Sequence, residues 1–220
     1  MTRSTEAFEA VPAGGRPVRG FLHHPAGPAG DGVVLAHGAG GNCDAPLLVA
    51  VASMLAGAGV TVLRCDLPFR QARPSGPPPP GFAARDREGL RSAVLAIRRL
   101  APGRAFLGGH SYGGRQASLL AADEPELAAG LVLLSYPLHP PRRPDALRTA
   151  HFPRVRVPAL FVHGARDSFG SLDEMRAALA LIPAPVTLVA VDGVGHDLGG
   201  GRRATDVVGR AVAAFLGRQA

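Results

Sequence analysis

Residues 109 to 113 read Gly-His-Ser-Tyr-Gly, which matches the pattern G-x-S-x-G. A serine on a sharp turn between a strand and a helix can act as a nucleophile, and glycines two residues before and after it remove side chains that would collide there. The apolar run 105–107 precedes the motif, and a helical pattern over 115–122 follows it. This context favours Ser111 as a nucleophile over an incidental serine in a glycine-rich turn.

A nucleophilic serine needs a histidine base and an acid that orients it, and in this motif class they follow in the order serine, acid, histidine. His139, His151 and His163 come before the final apolar run, whereas His196 follows that run in a glycine-flanked loop. We predict that His196 is the base. His163 ends a strand beside Gly164 and is predicted to be structural, while His139 and His151 are candidates for substrate contact.

The acid is expected just after the strand that precedes the last one. Asp167 lies there, at the end of the segment Leu-Phe-Val-His-Gly-Ala-Arg-Asp. Asp192 and Asp197 are alternatives, but both lie too near His196 in the sequence to reach its far ring nitrogen easily. We therefore predict that Asp167 fixes the tautomer of the imidazole.

Backbone N–H groups must stabilise the oxyanion that such a nucleophile generates. Tyr112, directly after the serine, is predicted to supply one N–H group. The loop His-Gly-Ala-Gly-Gly at 37–41 is predicted to supply the other through Ala39. This loop has no following Gly-Lys-Ser/Thr and lacks the G-x-G-x-x-G register, so a phosphate-binding role is disfavoured. His37 is predicted to hold the loop in place.

Short apolar runs alternate with amphipathic segments along most of the chain. This alternation is typical of a three-layer α/β/α sandwich with a mostly parallel sheet. The predicted strands are 33–36, 60–64, 105–107, 131–134, 159–162 and 186–191, and the predicted helices are 46–56, 85–100, 115–122 and 205–216.

Two proline-rich segments, 67–82 and 136–158, interrupt the alternation and are predicted to be irregular. Each follows a strand, so each should lie over the carboxyl edge of the sheet, where ligands bind. The residues predicted to line a substrate pocket are Phe69, Arg70, Tyr136, Leu138 and His139.

Three arginines in the second segment, Arg142, Arg143 and Arg148, leave two possibilities open. If they face the cleft, they favour a substrate that carries a carboxylate, because guanidinium groups bind carboxylates through paired N–H donors. If they face solvent, they add only to the net charge.

The composition excludes several classes of protein. The chain has 220 residues, of which 46% are hydrophobic and 19% charged, a balance that favours a folded chain over a disordered one. All 24 basic residues are arginines scattered along the chain, so the net charge of +7 does not indicate a nucleic-acid partner. Two cysteines, Cys43 and Cys65, form neither a disulfide framework nor a zinc set. We predict a cytoplasmic protein with no signal peptide and no membrane span.

Six stretches together resemble the α/β-hydrolase superfamily, and most closely its small cap-less bacterial members, similar to the KANL3/Tex30-like and dienelactone-hydrolase-like groups. They are LAHGAGG, VLRCDLPFRQARP, GGHSYGGRQAS, LVLLSYPLHPP, LFVHGARDSFG and GVGHDL. The resemblance implies a sheet of about seven or eight strands and a triad of Ser111, His196 and Asp167. It also implies a single domain over 1–220 without a large lid domain.

The sequence therefore predicts a serine hydrolase of the carboxylesterase type that cleaves an ester or thioester through an acyl-enzyme. It needs no metal and no organic cofactor. The expected partner is a small-molecule substrate, with no nucleic acid and no membrane, and the chain is expected to be a monomer or a homodimer. An acyltransferase with the same triad and a non-catalytic binding protein with the same fold remain alternatives.

Overall fold

A computed structural model describes residues 4–199 and 201–218 of the chain. In this part of the chain one sheet of eight strands runs in the order β1-β2-β4-β3-β5-β6-β7-β8. Strands β1, β2 and β4 pair antiparallel, and the pairs from β4 through β8 are parallel. The strands are β1 Ser4–Ala10, β2 Val18–His24, β3 Gly32–Ala36, β4 Thr61–Cys65, β5 Ala105–His110, β6 Leu131–Leu134, β7 Ala159–Gly164 and β8 Val186–Val191.

Helices cover both faces of the sheet and make the predicted α/β/α sandwich. Helices α1 and α6 pack on one face, and α3, α4 and α5 pack on the other. No large further domain is present among the described residues. The helices are α1 Pro46–Gly57, α2 Pro68–Ala72, α3 Phe82–Leu100, α4 Tyr112–Asp123, α5 Leu172–Leu179 and α6 Gly201–Arg218.

The central strands are apolar on both faces because both faces are covered. In β3, Val33 and Leu35 pack toward α1 and α6, whereas Val34 and Ala36 pack toward α3 and α4. A strand alternates its side chains between faces, so one short run contributes to two separate cores.

Two helices differ from the sequence prediction. The proline-rich segment at 67–82 contains the short helix α2, in which Pro68 occupies the first turn, where its missing N–H costs nothing. Helix α5 was not predicted, because its apolar pattern is short. Its start is marked by a capping box in which the Ser171 hydroxyl accepts from the Glu174 N–H and the Glu174 carboxylate accepts from the Ser171 N–H.

The strand order reverses at β3. The chain goes from β3 through α1 to β4 on one side, then through α3 to β5 on the other side of β3. The carboxyl ends of β3 and β5 therefore diverge into a crevice, which is where doubly wound sheets bind ligands. The loop 37–41 and Ser111 follow these two strands. No helix in the described ranges is long and apolar enough to cross a membrane.

Candidate active site

Ser111 occupies a strained turn between β5 and α4. Its backbone has φ 51° and ψ −114°, a conformation that non-glycine residues rarely adopt. The turn packs backbone against backbone at the end of β3: a Cβ on Gly113 would lie 2.6 Å from the His37 carbonyl oxygen, and one on Gly109 would lie 2.3 Å from that of Ala36. The glycines of the motif are therefore required by contact with β3 as well as by the turn itself.

Three side chains predicted from the sequence form one hydrogen-bonded line. The Ser111 Oγ lies 2.7 Å from the His196 Nε2, and the His196 Nδ1 lies 3.0 Å and 2.8 Å from the two carboxylate oxygens of Asp167. The Asp167 side chain is fully buried, and that of His196 is partly exposed. With Nδ1–H donating to Asp167, the His196 Nε2 is free to accept the Ser111 proton, which is the tautomer that a general base needs.

Two further residues hold His196 in place. The Phe169 ring stacks on the imidazole with centroids 4.0 Å apart and planes at 27°, and the Phe169 N–H donates to Asp167 at 2.8 Å. His110 Nε2–H donates to the His196 carbonyl oxygen at 2.8 Å. Burial lowers the pKa of His110, in keeping with a neutral ring. Sequence reasoning missed both residues, although His110 adjoins the nucleophile and Phe169 follows Asp167 by two positions.

The loop 37–41 lies beside Ser111, as predicted. His37 is fully buried: its Nδ1–H donates to the Gly38 carbonyl at 2.8 Å and its Nε2 accepts from the Leu67 N–H at 3.1 Å. Burial lowers the pKa of His37, in keeping with a neutral ring that joins two loops. Among the described loop and turn hydrogen bonds, none is donated by the Ala39 N–H. Tyr112 is the first residue of α4, where a backbone N–H has no partner within the helix.

A cavity opens at Ser111, and Arg70 is not among its described lining residues, in contrast to the prediction. Its side chain is buried behind the 37–41 loop, where its Nε donates to the Gly41 carbonyl at 2.7 Å and its Nη2 donates to the Ala39 carbonyl at 3.1 Å. It also donates to the carbonyls of Arg73 and Gly76 at 3.2 Å and 2.9 Å. Arg70 thus ties the loop to the proline-rich segment.

Phe69 is also absent from the cavity lining, because α2 packs it into the core. Its ring is fully buried and makes edge contacts with His37 and Tyr112 at centroid distances of 5.5 Å and 5.7 Å. The buried carboxylate of Asp86 accepts from the Phe69 N–H at 3.0 Å and from the Tyr112 hydroxyl at 2.7 Å. Burial raises the pKa of Asp86, and burial together with the Asp86 hydrogen bond raises that of Tyr112.

The prediction for Tyr136, Leu138 and His139 is corrected in the same way. All three side chains are buried and none lines the cavity at Ser111. The Tyr136 hydroxyl donates to the Arg148 carbonyl at 2.6 Å, and its ring packs against Phe152. The 136–158 segment folds down onto the sheet because its aromatic and apolar residues are buried there.

The remaining histidine and arginine candidates also lie outside this cavity. His151 is buried with its Nε2 2.8 Å from the Ser118 hydroxyl, and His163 donates to the Gly170 carbonyl at 2.7 Å. Arg142 and Arg143 are exposed. Arg148 is half-buried and its Nη1 donates to the Pro137 carbonyl at 3.3 Å.

The alternative acids are not hydrogen-bonded to His196 in the described structure. Asp192 is exposed, and Asp197 accepts from the Gly199 N–H at 2.9 Å. Only Asp167, of the three carboxylates considered, contacts the His196 Nδ1.

A cavity of about 790 Å³ opens at Ser111. Its described walls are the loop 38–41, the start of α1, and the segment from His196 to Gly199 that leads toward α6. Phe169 and His110 also contribute to its lining.

Neither a metal cluster nor a reactive thiol is found near this cavity in the described residues. No three His, Cys, Asp or Glu side chains in residues 4–199 and 201–218 group so as to hold a metal ion. Cys43 and Cys65 are both buried and unpaired with each other. Burial raises the pKa of Cys43 to about 12, so its thiol is protonated near neutral pH.

Solved structures with the same fold cover nearly the whole chain. A dienelactone hydrolase from Anabaena variabilis superposes with a TM-score of 0.75 at 21% identity, covering 98% of both chains. Est1E from Butyrivibrio proteoclasticus gives 0.75 at 19% identity, covering 97% of this chain and 98% of its own. DcsB, solved in complex with its substrate analogue, gives 0.79 at 17% identity, covering 99% of this chain and 100% of its own.

Sequence comparison assigns the family independently of these superpositions. A profile described as an alpha/beta hydrolase domain matches residues 29–213, a range that starts before β3 and includes Ser111, Asp167 and His196. With the fold and the strained serine turn, this match identifies the chain as a member of the alpha/beta hydrolase domain family.

Proposed function

We propose that this protein is a serine hydrolase that cleaves a carboxylic ester or thioester through an acyl-enzyme. The observation that carries the proposal is the hydrogen-bonded line from Ser111 through His196 to Asp167, which opens onto a cavity. The strained serine turn adds support, because backbone strain of this kind persists where the surrounding structure enforces it, commonly at active sites.

In the first half of the reaction, the Ser111 Oγ attacks the carbonyl carbon while the His196 Nε2 takes its proton. The Ala39 and Tyr112 N–H groups stabilise the oxyanion, aided by the positive end of α4. His196 then gives the proton to the leaving oxygen or sulfur, the bond to it breaks, and the acyl group remains on Ser111.

In the second half, water attacks the acyl carbon and gives its proton to His196. The bond to the Ser111 Oγ breaks as His196 returns a proton to that oxygen, and the carboxylic acid leaves. Throughout both halves Asp167 keeps Nδ1–H oriented and stabilises the imidazolium.

A fluorophosphonate probe and an ester panel test the nucleophile together. We expect the probe to label Ser111 and a panel of p-nitrophenyl esters to be hydrolysed by the wild type. Ser111→Ala should abolish labelling and nearly all turnover, leaving only the contribution of binding and oxyanion stabilisation. Ser53→Ala, at an exposed position on α1, is the matched control and should retain both. Wild-type turnover in Ser111→Ala would overturn the assignment.

The acid is tested by isosteric substitution. Asp167→Asn should lower kcat by about three to four orders of magnitude, because an amide can stabilise the wrong tautomer of His196. Asp192→Asn is the matched control at the exposed alternative position and should leave kcat unchanged. A large loss of kcat in Asp192→Asn, with little effect of Asp167→Asn, would assign the role of the orienting acid to Asp192.

A further inference from the structure

We infer that the ester cleaved at Ser111 carries a neutral, apolar group several carbons long, which occupies the cavity between the start of α1 and the segment that leads to α6. This inference rests on the proposed function and names the substrate class of that same site.

The size of the cavity is the first argument. It is about 790 Å³, which is in the range of pockets that enclose drug-sized ligands. An acetyl group at Ser111 would leave most of this space to water. A longer group would displace that water and bury apolar surface, which favours binding in proportion to the area covered.

The chemistry of the walls is the second argument. The side of the cavity formed by α1 is made of Ala45, Pro46, Leu47 and Ala50, and the opposite side includes the buried Leu198. Among the described lining residues the ionisable side chains are only His110, His196 and Asp197, and none is an arginine or a lysine. A buried carboxylate on the substrate would meet no cation among these described lining residues and would lose its hydration.

The position of the cavity is the third argument. It lies on the α1 and α6 face, whereas the opposite side of Ser111 is filled by Phe69, Tyr112 and Asp86. The described cavity at Ser111 therefore extends toward α1 and α6. The proline-rich segments 67–82 and 136–158, predicted to line the pocket, contribute none of the described lining residues of this cavity.

Two ester series test the inference and decide whether the acyl chain or the alcohol fills the cavity. The first lengthens the acyl group from p-nitrophenyl acetate through butyrate to hexanoate. The second lengthens the alcohol from ethyl through butyl to hexyl acetate. We expect kcat/KM to rise by about three- to four-fold per methylene in one series. No rise in either series, with hydrolysis still dependent on Ser111, would overturn the inference.

A charged analogue tests the neutral character of the group. The p-nitrophenyl monoester of adipic acid has the length of the hexanoate and ends in a carboxylate. We expect its kcat/KM to be at least about tenfold below that of the hexanoate. Equal or faster turnover of the carboxylate ester would overturn the neutral assignment.

Two variants locate the group in this cavity. Ala50→Phe should reduce kcat/KM for the preferred long ester about tenfold or more relative to acetate, because the new ring occupies the cavity. Ser53→Phe adds the same ring one turn along α1 at an exposed position and should leave the chain-length profile unchanged. Leu47→Ala enlarges the cavity and should shift the optimum to longer chains, which provides a second variant if Ala50→Phe folds poorly.

The outcomes separate the inference from the proposed function. Absence of ester hydrolysis in the wild type, or full activity of Ser111→Ala, contradicts the proposed function and the inference with it. Hydrolysis that needs Ser111 but shows an unaltered chain-length profile in both cavity variants contradicts the inference alone.

Discussion

The two sides of Ser111 are built in opposite ways. On the side of α2 and α3, Phe69, Tyr112 and Asp86 are joined by ring contacts and hydrogen bonds, and none of the three is among the described lining residues of the cavity at Ser111. On the side of α1 and α6, glycines and small apolar side chains surround an open space. The closed side packs against the Ser111 turn, and the open side leaves space at the serine for the substrate that we propose.

Arg70 connects the closed side to the 37–41 loop, which we propose supplies an oxyanion donor, and its substitution should give the largest effect on activity. Arg70→Met removes the donors to the Ala39 and Gly41 carbonyls. We expect kcat for ester hydrolysis to fall about 10²- to 10³-fold, as when an oxyanion donor is lost. Arg73→Met, in the same segment but exposed, is the matched control and should keep wild-type kcat. A folded Arg70→Met with unchanged kcat would show that the loop holds its position without the guanidinium.

His151 should make stability depend on pH. Burial, and then the charges of Arg115 and Arg154, lower its pKa from 6.5 to about 4, and Asp123 opposes this shift. The unfolded chain therefore binds more protons between pH 6.5 and 4, so stability is present above pH 6.5 and is lost as the pH falls toward 4.

Denaturant unfolding at several pH values measures the contribution of His151 to the pH dependence of the free energy of unfolding. For His151 we expect a loss of up to about 3 kcal/mol between pH 6.5 and 4. His151→Gln should reduce the slope of stability against pH in that window. His23, whose pKa burial also lowers to about 4, keeps part of the slope in the variant. An unchanged slope of stability against pH in His151→Gln would contradict the lowered pKa of His151.

Tyr112→Phe tests the hydrogen bond that closes the α2 and α3 side. Removal of the hydroxyl leaves one oxygen of the buried Asp86 carboxylate without its donor. We expect a loss of about 1 to 3 kcal/mol in the free energy of unfolding. A double-mutant cycle with Asp86→Asn should give a coupling energy distinct from zero, and additive effects would argue against a direct interaction.

Leu47→Ala probes the open side and should give the smallest effect on stability. Leu47 faces the cavity and is only partly buried, so we expect a loss of under about 1 kcal/mol. Its neighbour Leu48 is fully buried, and Leu48→Ala should cost about 2 to 5 kcal/mol. Equal losses at the two positions would mean that the cavity wall is as tightly packed as the core.

The strand and helix pattern was predictable because it depends on local periodicity. All six predicted strands and all four predicted helices are present, with ends that shift by a few residues. Strands β1 and β2, which precede the first predicted strand, complete the sheet of eight, in agreement with the seven or eight strands that the family resemblance implies. Helices α2 and α5 were missed because five and eight residues carry too little periodicity to distinguish them from loop.

The five residues predicted to line the pocket do not line the cavity at Ser111, and the reason is physical. Position after a strand determines that a segment lies at the carboxyl edge of the sheet, but not whether its side chains point into the crevice or into the core. Phe69, Tyr136 and Leu138 are large and apolar, and burial in the core stabilises them more than exposure on a cleft would.

The sequence by itself determined the order of strands and helices and the spacing that places a serine on a strained turn. It also determined which histidine and aspartate could meet that serine, because the chain order of the motif restricts the choice. These properties depend on neighbours in the chain and on the fixed geometry of a parallel sheet.

Only the tertiary structure decided which side of Ser111 is open. That choice depends on side chains far apart in the sequence, such as Asp86 with Tyr112, and Arg70 with the carbonyls of the 37–41 loop. Such contacts form when distant segments pack and compete for the same space, and no local pattern in the chain encodes which of them fills it.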